Sequence, residues 1–355
     1  MSKIPVMVLY GGRSTEHEVS CRSAAFILRN LDPNKYETIP VAIDKSGRWL
    51  PQVRSEILGD KDASVAIIRK QAANRDELLA RKDLVVFPML HGTFGEDGTI
   101  QGLLDLAEVA YVGADTTGAA IGMDKIISKK LAADAGLPVV PYVEIRAGEW
   151  EKNKEQLLAA CERTLSYPMF VKPARLGSSV GITKVKSGRT ELVKACETAL
   201  SFDDKILVET GLNVRELECA ILGGTSPEAS VVGEIDVTSA DFYDYAAKYE
   251  DPNAAKIIIP ANLSAAVSEN VRDLALKVFS ALNLYGLARI DLFLVRGTES
   301  DLYFNEVNTM PGFTSISQYP MLWKASGVDG PRLIDRLITL ATERQLRRKN
   351  LLRSV

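Results

Sequence analysis

The chain has 355 residues, too many for one ordinary hydrophobic core and enough for about two or three domains. Apolar residues make up 46% and charged residues 25%, the proportions of a soluble globular protein. A formal net charge of -3 gives no basic field to attract nucleic acid or an anionic membrane, so neither is an expected partner. The four cysteines, Cys21, Cys161, Cys196 and Cys219, are far apart, with no C-x-x-C spacing, and read as reduced core residues of a cytoplasmic protein. The first apolar run, IPVMVLY, ends in Gly11-Gly12 without the length or cleavage site of a signal peptide, and no stretch is long enough to cross a bilayer.

In chain order, "KIPVMVLYGGRSTEHEVSCRSAAFILRNL" is a buried strand, a glycine turn and a helix. Ser14 and Thr15 signal the helix start, and Val19, Ser23, Phe26, Ile27 and Asn30 fall at helical spacing. Further strands at "ETIPVAI" and "DLVVFPML" complete an open parallel α/β domain over residues 1–123. The polar segment 44–82 has weak periodicity and no assigned role. The helix "MDKIISKKLAADAG" stops at Gly136 before Pro138. A small α+β layer follows over 124–211, with strands "YPMFVKPA", "GITKV" and "KILVET" and a helix near 188–202. Residues 212–355 carry strands "RELECAILGG", "ASVVGEIDV", "GLARIDLFLV" and "DLYFNEV". They also carry a long helix with Val267, Val271, Leu274, Val278 and Leu282 on one face, and a terminal helix.

Strand periodicity brings polar side chains together. Glu306 and Asn308, at i and i+2, share a face, as do Arg289 and Asp291. If the two strands are neighbours, Asp291, Glu306 and Asn308 form a cluster that suits a hard cation with oxygen ligands. The other reading is a structural Arg-Asp pair with solvated polar neighbours at a sheet edge. "VKPARLGSSVG" places Lys172 at a strand end before a glycine loop, a phosphate cradle or a bare hairpin turn; it matches neither G-x-x-x-x-G-K-[ST] nor G-x-G-x-x-G. "DFYDYAAKYE" is too polar for core and too aromatic for linker, and reads as a flap over a site or a stabilised surface loop. The only histidines, His17 and His91, both follow strand ends of the first domain and point to one crevice. Lys125, Glu209 and Glu216 say little singly.

Taken in order, "YGGRSTEHEVS", "HGTFGEDGTIQG", "MDK", "VKPARLGSSVG", "RELECA", "FYDYAAKY", "RIDLF" and "NEVNTMPGFTSIS" resemble the D-alanine–D-alanine ligases of bacterial cell-wall synthesis, over nearly the whole chain. The resemblance implies an ATP-grasp fold of two α+β subdomains behind the N-terminal α/β domain. It implies ATP and D-alanine as substrates, two Mg²⁺ ions (or Mn²⁺) as cofactor, an acyl-phosphate intermediate and a homodimer. It makes Asp291, Glu306 and Asn308 the metal ligands, and Lys125, Lys172 and Lys248 the phosphate-holding cations. Glu209, Leu212 and Glu216 take the adenosine. Glu16 receives the first substrate's ammonium near His91, tied to Ser178 and Tyr249. Arg289 and the Gly312 N–H stabilise the oxyanion, and Ser317 and Lys248 receive the second substrate's carboxylate. The same scaffold serves D-alanine–D-lactate and D-alanine–D-serine ligases; Tyr249 argues against the lactate form. A non-catalytic nucleotide-binding regulator is the alternative of a different class.

Overall fold

The computed structural model describes residues 3–58, 64–236 and 256–352. Strands β1 (Ile4–Gly11), β2 (Tyr36–Ile43), β3 (Trp49–Pro51), β4 (Val85–Pro88) and β5 (Ala110–Tyr111) form one sheet in the order β3-β2-β1-β4-β5. β1 runs parallel to both β2 and β4, and only β3 is antiparallel. β1 is buried along its length after Ile4, as a strand covered on both faces must be. The chain reverses its lateral direction at β1, so the loops after β1 and β4 meet at a topological switch point, where open α/β sheets bind ligands.

The helix His17–Asn30 buries Cys21, Ala24, Ala25, Ile27 and Leu28. The expected stripe is only partly right, because this helix has two covered sides. Small residues and Ile27 pack on the sheet, whereas Val19, Phe26 and Asn30 are half-buried and turn toward a cleft. The segment 44–82, without expected role, contributes β3 and a cover for the sheet, with Ile57 and Val65 in the core. Gln52 organises it, accepting from the Ile68 and Arg69 N–H groups at 3.0 and 2.9 Å and donating to the carbonyls of Leu50 and Arg69 at 3.0 and 2.7 Å. Side-chain-to-backbone bonds of this kind leave no periodicity to read.

Strands β6 (Tyr142–Arg146), β7 (Met169–Pro173), β8 (Thr183–Val185) and β9 (Lys205–Thr210) pair antiparallel in the order β6-β9-β7-β8. The helices Ala147–Thr164 and Arg189–Leu200 pack on this sheet through Trp150, Leu158, Cys161, Leu192 and Cys196. β6 and the helix after it are absent from the sequence reading, since that helix is highly charged and buries only Trp150, Leu158 and Cys161.

The third sheet is β12-β11-β10-β13-β14, from β10 (Val214–Gly223), β11 (Glu228–Asp236), β12 (Lys256–Ile258), β13 (Gly286–Val295) and β14 (Leu302–Asn308). The helix Ala265–Ala281 covers one face with Val267, Val271, Leu274 and Val278, the stripe read from the sequence, and Ser264 caps it by accepting from the Val267 N–H. The single terminal helix read from the sequence is two, Gln318–Ala325 and Gly330–Lys349. Gly327, at φ 85°, interrupts them in a conformation that favours glycine, and Asp329 caps the second. The last helix returns to the first domain: Leu333, Ile334, Leu337 and Ile338 share a core with Val6, Val8 and Phe87, and Arg344 donates to the carbonyls of Gly113 and Tyr111 at 2.6 and 2.7 Å.

The N-terminal and C-terminal sheets therefore meet in one apolar core. Phe313 is central to it, fully buried, with its ring 5.9 Å from Phe87, 5.3 Å from Tyr319 and 6.4 Å from Phe26. Phe313→Ala should lower the unfolding free energy by about 3–5 kcal/mol, the ordinary cost of truncating a buried aromatic. Urea denaturation measures it, and a loss below about 1 kcal/mol would show that the two sheets do not depend on this contact.

Candidate functional site

A cleft of about 1280 Å³ opens where the three sheets converge. Its floor is the face of the third sheet opposite the helix Ala265–Ala281. Along β13, Ile290, Leu292 and Leu294 are buried against that helix, while Arg289, Asp291 and Phe293 alternate toward the cleft. β13 and β14 are neighbours, with Arg289 opposite Asn308 and Asp291 opposite Glu306. The expected polar cluster therefore forms. A residue absent from the sequence reading joins it: Glu218 on β10 lies opposite Asp291 and borders the cleft with Glu216, two positions away on the same face. The i, i+2 rule that relates Arg289 to Asp291 also applies to Glu216 and Glu218.

Arg289 forms a bidentate pair with Asp291, Nε and Nη2 each 2.7 Å from a carboxylate oxygen, and its Nε lies 3.3 Å from Glu218. Burial works against the guanidinium charge, but Asp291 and Glu218 outweigh it and hold the group ionised. Lys125 reaches the same cluster from the neighbouring helix, 3.1 Å from Glu306, and donates to the Leu176 carbonyl at 2.7 Å.

The residues present fit a hard cation. The Asn308 side-chain oxygen is buried with no hydrogen-bond partner, beside two carboxylates. Such an orphan acceptor costs free energy unless something electropositive approaches it. Among the described residues no three His, Cys, Asp or Glu side chains converge as a complete metal cage. The protein thus offers two carboxylates and a carboxamide, a donor set suited to Mg²⁺, which keeps waters and takes substrate phosphates.

One wall comes from the switch point of the first sheet. His91 is buried, with Nδ1 2.9 Å from the Met310 carbonyl and Nε2 3.0 Å from Ser23 Oγ. The carbonyl can only accept, so Nδ1 carries the proton and Nε2 accepts from Ser23; Ser23 Oγ in turn accepts from the Phe313 N–H at 3.1 Å. Burial lowers the His91 pKa despite nearby Glu16, which agrees with a neutral ring. Glu96, also outside the sequence reading, accepts from the N–H groups of Gly92 at 2.9 Å and Met310 at 3.1 Å. Its carboxyl is pushed up to about 8 by burial and then by Glu16, against the two backbone donors and Arg289.

Glu16 follows the β1 loop, and its N–H donates to Ser14 Oγ at 3.2 Å. Ser178 donates to Glu16 at 2.6 Å, drawing the glycine loop of the central sheet onto the first domain. Ser178 and Ser179 hold φ of 54° and 57°, a strained conformation for non-glycine residues. Opposite, Gly312 and Ser317 border the cleft, and a Cβ on Gly312 would meet Ser317 Oγ at 2.9 Å, so the backbone comes close there.

Lys172, Glu209 and Leu212 do not border the cleft. Glu209, expected at the adenosine, is buried with one oxygen 2.5 Å from Lys172 and the other 2.8 Å from Lys129. The two ammonium groups overcome burial and lower its pKa to about 2. Burial likewise opposes the Lys172 charge, and Glu209, Glu306 and Glu216 hold it above its ordinary value. Leu212 is half-buried in the connection between β9 and β10. Lys248, Tyr249 and the expected flap lie outside the described residues. The four cysteines are free and buried.

Residues 5–114 match the family described as D-ala D-ala ligase N-terminus, and residues 131–339 match D-ala D-ala ligase C-terminus. The chain belongs to the D-alanine–D-alanine ligase family. It is 44% identical over 357 residues to the D-alanine–D-alanine ligase of Natranaerobius thermophilus, covering 97% of this chain and 96% of the relative. The solved D-alanine–D-alanine ligase of Coxiella burnetii superimposes with a TM-score of 0.80 at 33% identity, covering 99% of this chain and 98% of that one. The D-Ala:D-Ser ligase of Enterococcus faecalis does so with 0.81 at 35%, covering 96% and 100%. These likenesses establish the ATP-grasp architecture read from the motifs.

The carboxyl of Glu96 gives this site a testable pH signature. Between the ordinary carboxyl range and about 8, the folded state keeps a proton that the unfolded state releases, so stability falls as pH rises through that window. Subtracting the stability curve of Glu96→Gln from that of the wild type should leave a difference that declines between about pH 5 and pH 8. A flat difference would mean that Glu96 titrates normally.

Proposed function

We propose that this enzyme joins two D-alanine molecules, with ATP as the activating substrate, to give D-alanyl-D-alanine, ADP, phosphate and a proton. The observation that carries the reading is the shared face of β13 and β14, where Arg289, Asp291, Glu306 and Asn308 stand together against Lys125. Curated relatives at 42–46% identity with that activity in their names support it.

A carboxylate is a poor electrophile, so the first D-alanine is activated by attack of its carboxylate oxygen on the γ-phosphorus, with ADP leaving. The amine of the second D-alanine then attacks the carbonyl carbon, expels phosphate and loses a proton. Lys125 and Lys172 hold phosphate oxygens, and Glu216 and the Leu212 segment hold the adenosine. Mg²⁺, bound by Asp291, Glu306 and Asn308, would neutralise phosphate charge. The number of ions, taken as two, and use of Mn²⁺ belong to this proposal.

Glu16 receives the first ammonium group, fixed by Ser178, while the neutral His91 ring sets the adjoining wall. Arg289 and the Gly312 N–H face the oxygen that becomes negative in the tetrahedral intermediate. Ser317 and Lys248 receive the second carboxylate, and Tyr249 acts with Ser178 and Glu16. A cytoplasmic homodimer completes the proposal on family grounds, and among the described residues no helix is long and apolar enough to cross a membrane.

The test is release of ADP and phosphate, with product identified, for D-alanine, L-alanine, D-serine and D-lactate in the presence of Mg²⁺. Dipeptide from D-alanine and none from L-alanine is expected; ATP turnover without dipeptide would overturn the reading. Glu306→Gln should fold and lose turnover on the order of 10²-fold or more, since charge stabilisation in phosphoryl transfer is worth several kcal/mol.

A further inference from the structure

Lys129 lies one turn after Lys125 on the helix Lys125–Asp134, on the same helix face. It is only 1% exposed, against 7% for Lys172, and does not border the cleft. Enclosing an ammonium group is costly unless its partners compensate, and a methionine of similar length would pack there without that cost. Its contacts run in one direction. Lys129 Nζ is 2.8 Å from Glu209 Oε1, and also donates to the Phe304 carbonyl at 3.3 Å. The other oxygen of Glu209 faces Lys172 at 2.5 Å, and Lys172 Nζ lies 3.5 Å from the Asn305 side-chain oxygen, next to Glu306. All three charged groups of this relay are enclosed.

We propose that Lys129 is a positioning residue for ATP, acting through Glu209 to aim Lys172 at the phosphates. The ion pair of one carboxylate oxygen with Lys129 holds the Glu209 side chain, and the remaining oxygen then holds the Lys172 ammonium. Sharing also matters electrostatically. Without Lys129, Glu209 pairs with Lys172 alone and neutralises it; with Lys129 competing for the same carboxylate, more of the Lys172 charge is left for an incoming anion. This inference rests on the assignment of Lys172 to phosphate oxygens.

The variant Lys129→Met keeps the stem and removes the ammonium. Calorimetric titration with ATP and with adenosine, both with Mg²⁺, is compared for the wild type, Lys129→Met, Lys172→Met and the double variant. Lys129→Met should weaken ATP about tenfold or more and leave adenosine unchanged, the size of a lost charge-assisted contact. The KM for ATP should rise while that for D-alanine holds, and the double variant should bind ATP no more weakly than Lys172→Met alone. Equal weakening of ATP and adenosine, unchanged ATP binding, or additive losses in the double variant would overturn the proposal. If Lys172→Met binds ATP normally, the phosphate assignment itself falls and the inference with it. Urea denaturation checks folding, and should Lys129→Met not fold, Lys129→Gln serves for the same comparison.

Discussion

Three buried side chains of the first domain hold the backbone of residues 310–313. Glu96 accepts from the Met310 N–H, His91 donates to the Met310 carbonyl, and Ser23 accepts from the Phe313 N–H. Each bond crosses from the switch point of the parallel sheet to the loop that leaves β14. None is exposed to water, so breaking one leaves a buried donor or acceptor unsatisfied. This seam decides where the cleft is. It sets Gly312 next to the Arg289 face, and it brings the Glu16 loop within reach of Ser178 on the central sheet.

Charge is arranged across the cleft in a way that the seam makes possible. The third sheet supplies Glu216, Glu218, Asp291 and Glu306 to the cleft; Lys125 faces them from a helix, and Lys172 of the central sheet is enclosed behind the lining, paired with Glu209. Arg289 is the exception within the acidic face, and its contacts with Asp291 and Glu218 keep it charged despite burial. Lys125 thus stands against a face that carries four carboxylates. The Lys172, Glu209 and Lys129 group shows the same economy at depth, with one carboxylate serving two ammonium groups.

Much of this was legible in the sequence, because strand alternation is a strict rule. Arg289 and Asp291, and Glu306 and Asn308, share a face whatever the tertiary fold, and the strand boundaries at "KILVET" and "GLARIDLFLV" coincide with β9 and β13. The alternation that marks Glu216 marks Glu218 as well. Glu96 and Lys129 were not legible, for a different reason: their importance comes from burial and from partners distant in the chain, which no local spacing encodes. The helix His17–Asn30 was misread in part because it faces both a core and a cleft, and a single hydrophobic stripe cannot describe two covered sides. Ordered motifs identified the family where single motifs left alternatives open.

The central claim is that the 310–313 loop is held rigidly by the first domain. Site-resolved amide hydrogen exchange tests it most directly. The account predicts that the Met310 and Phe313 amides exchange only through global unfolding, at the same free energy as the slowest amides of β13. Exchange of these two amides through local opening, with β13 still protected, would contradict it.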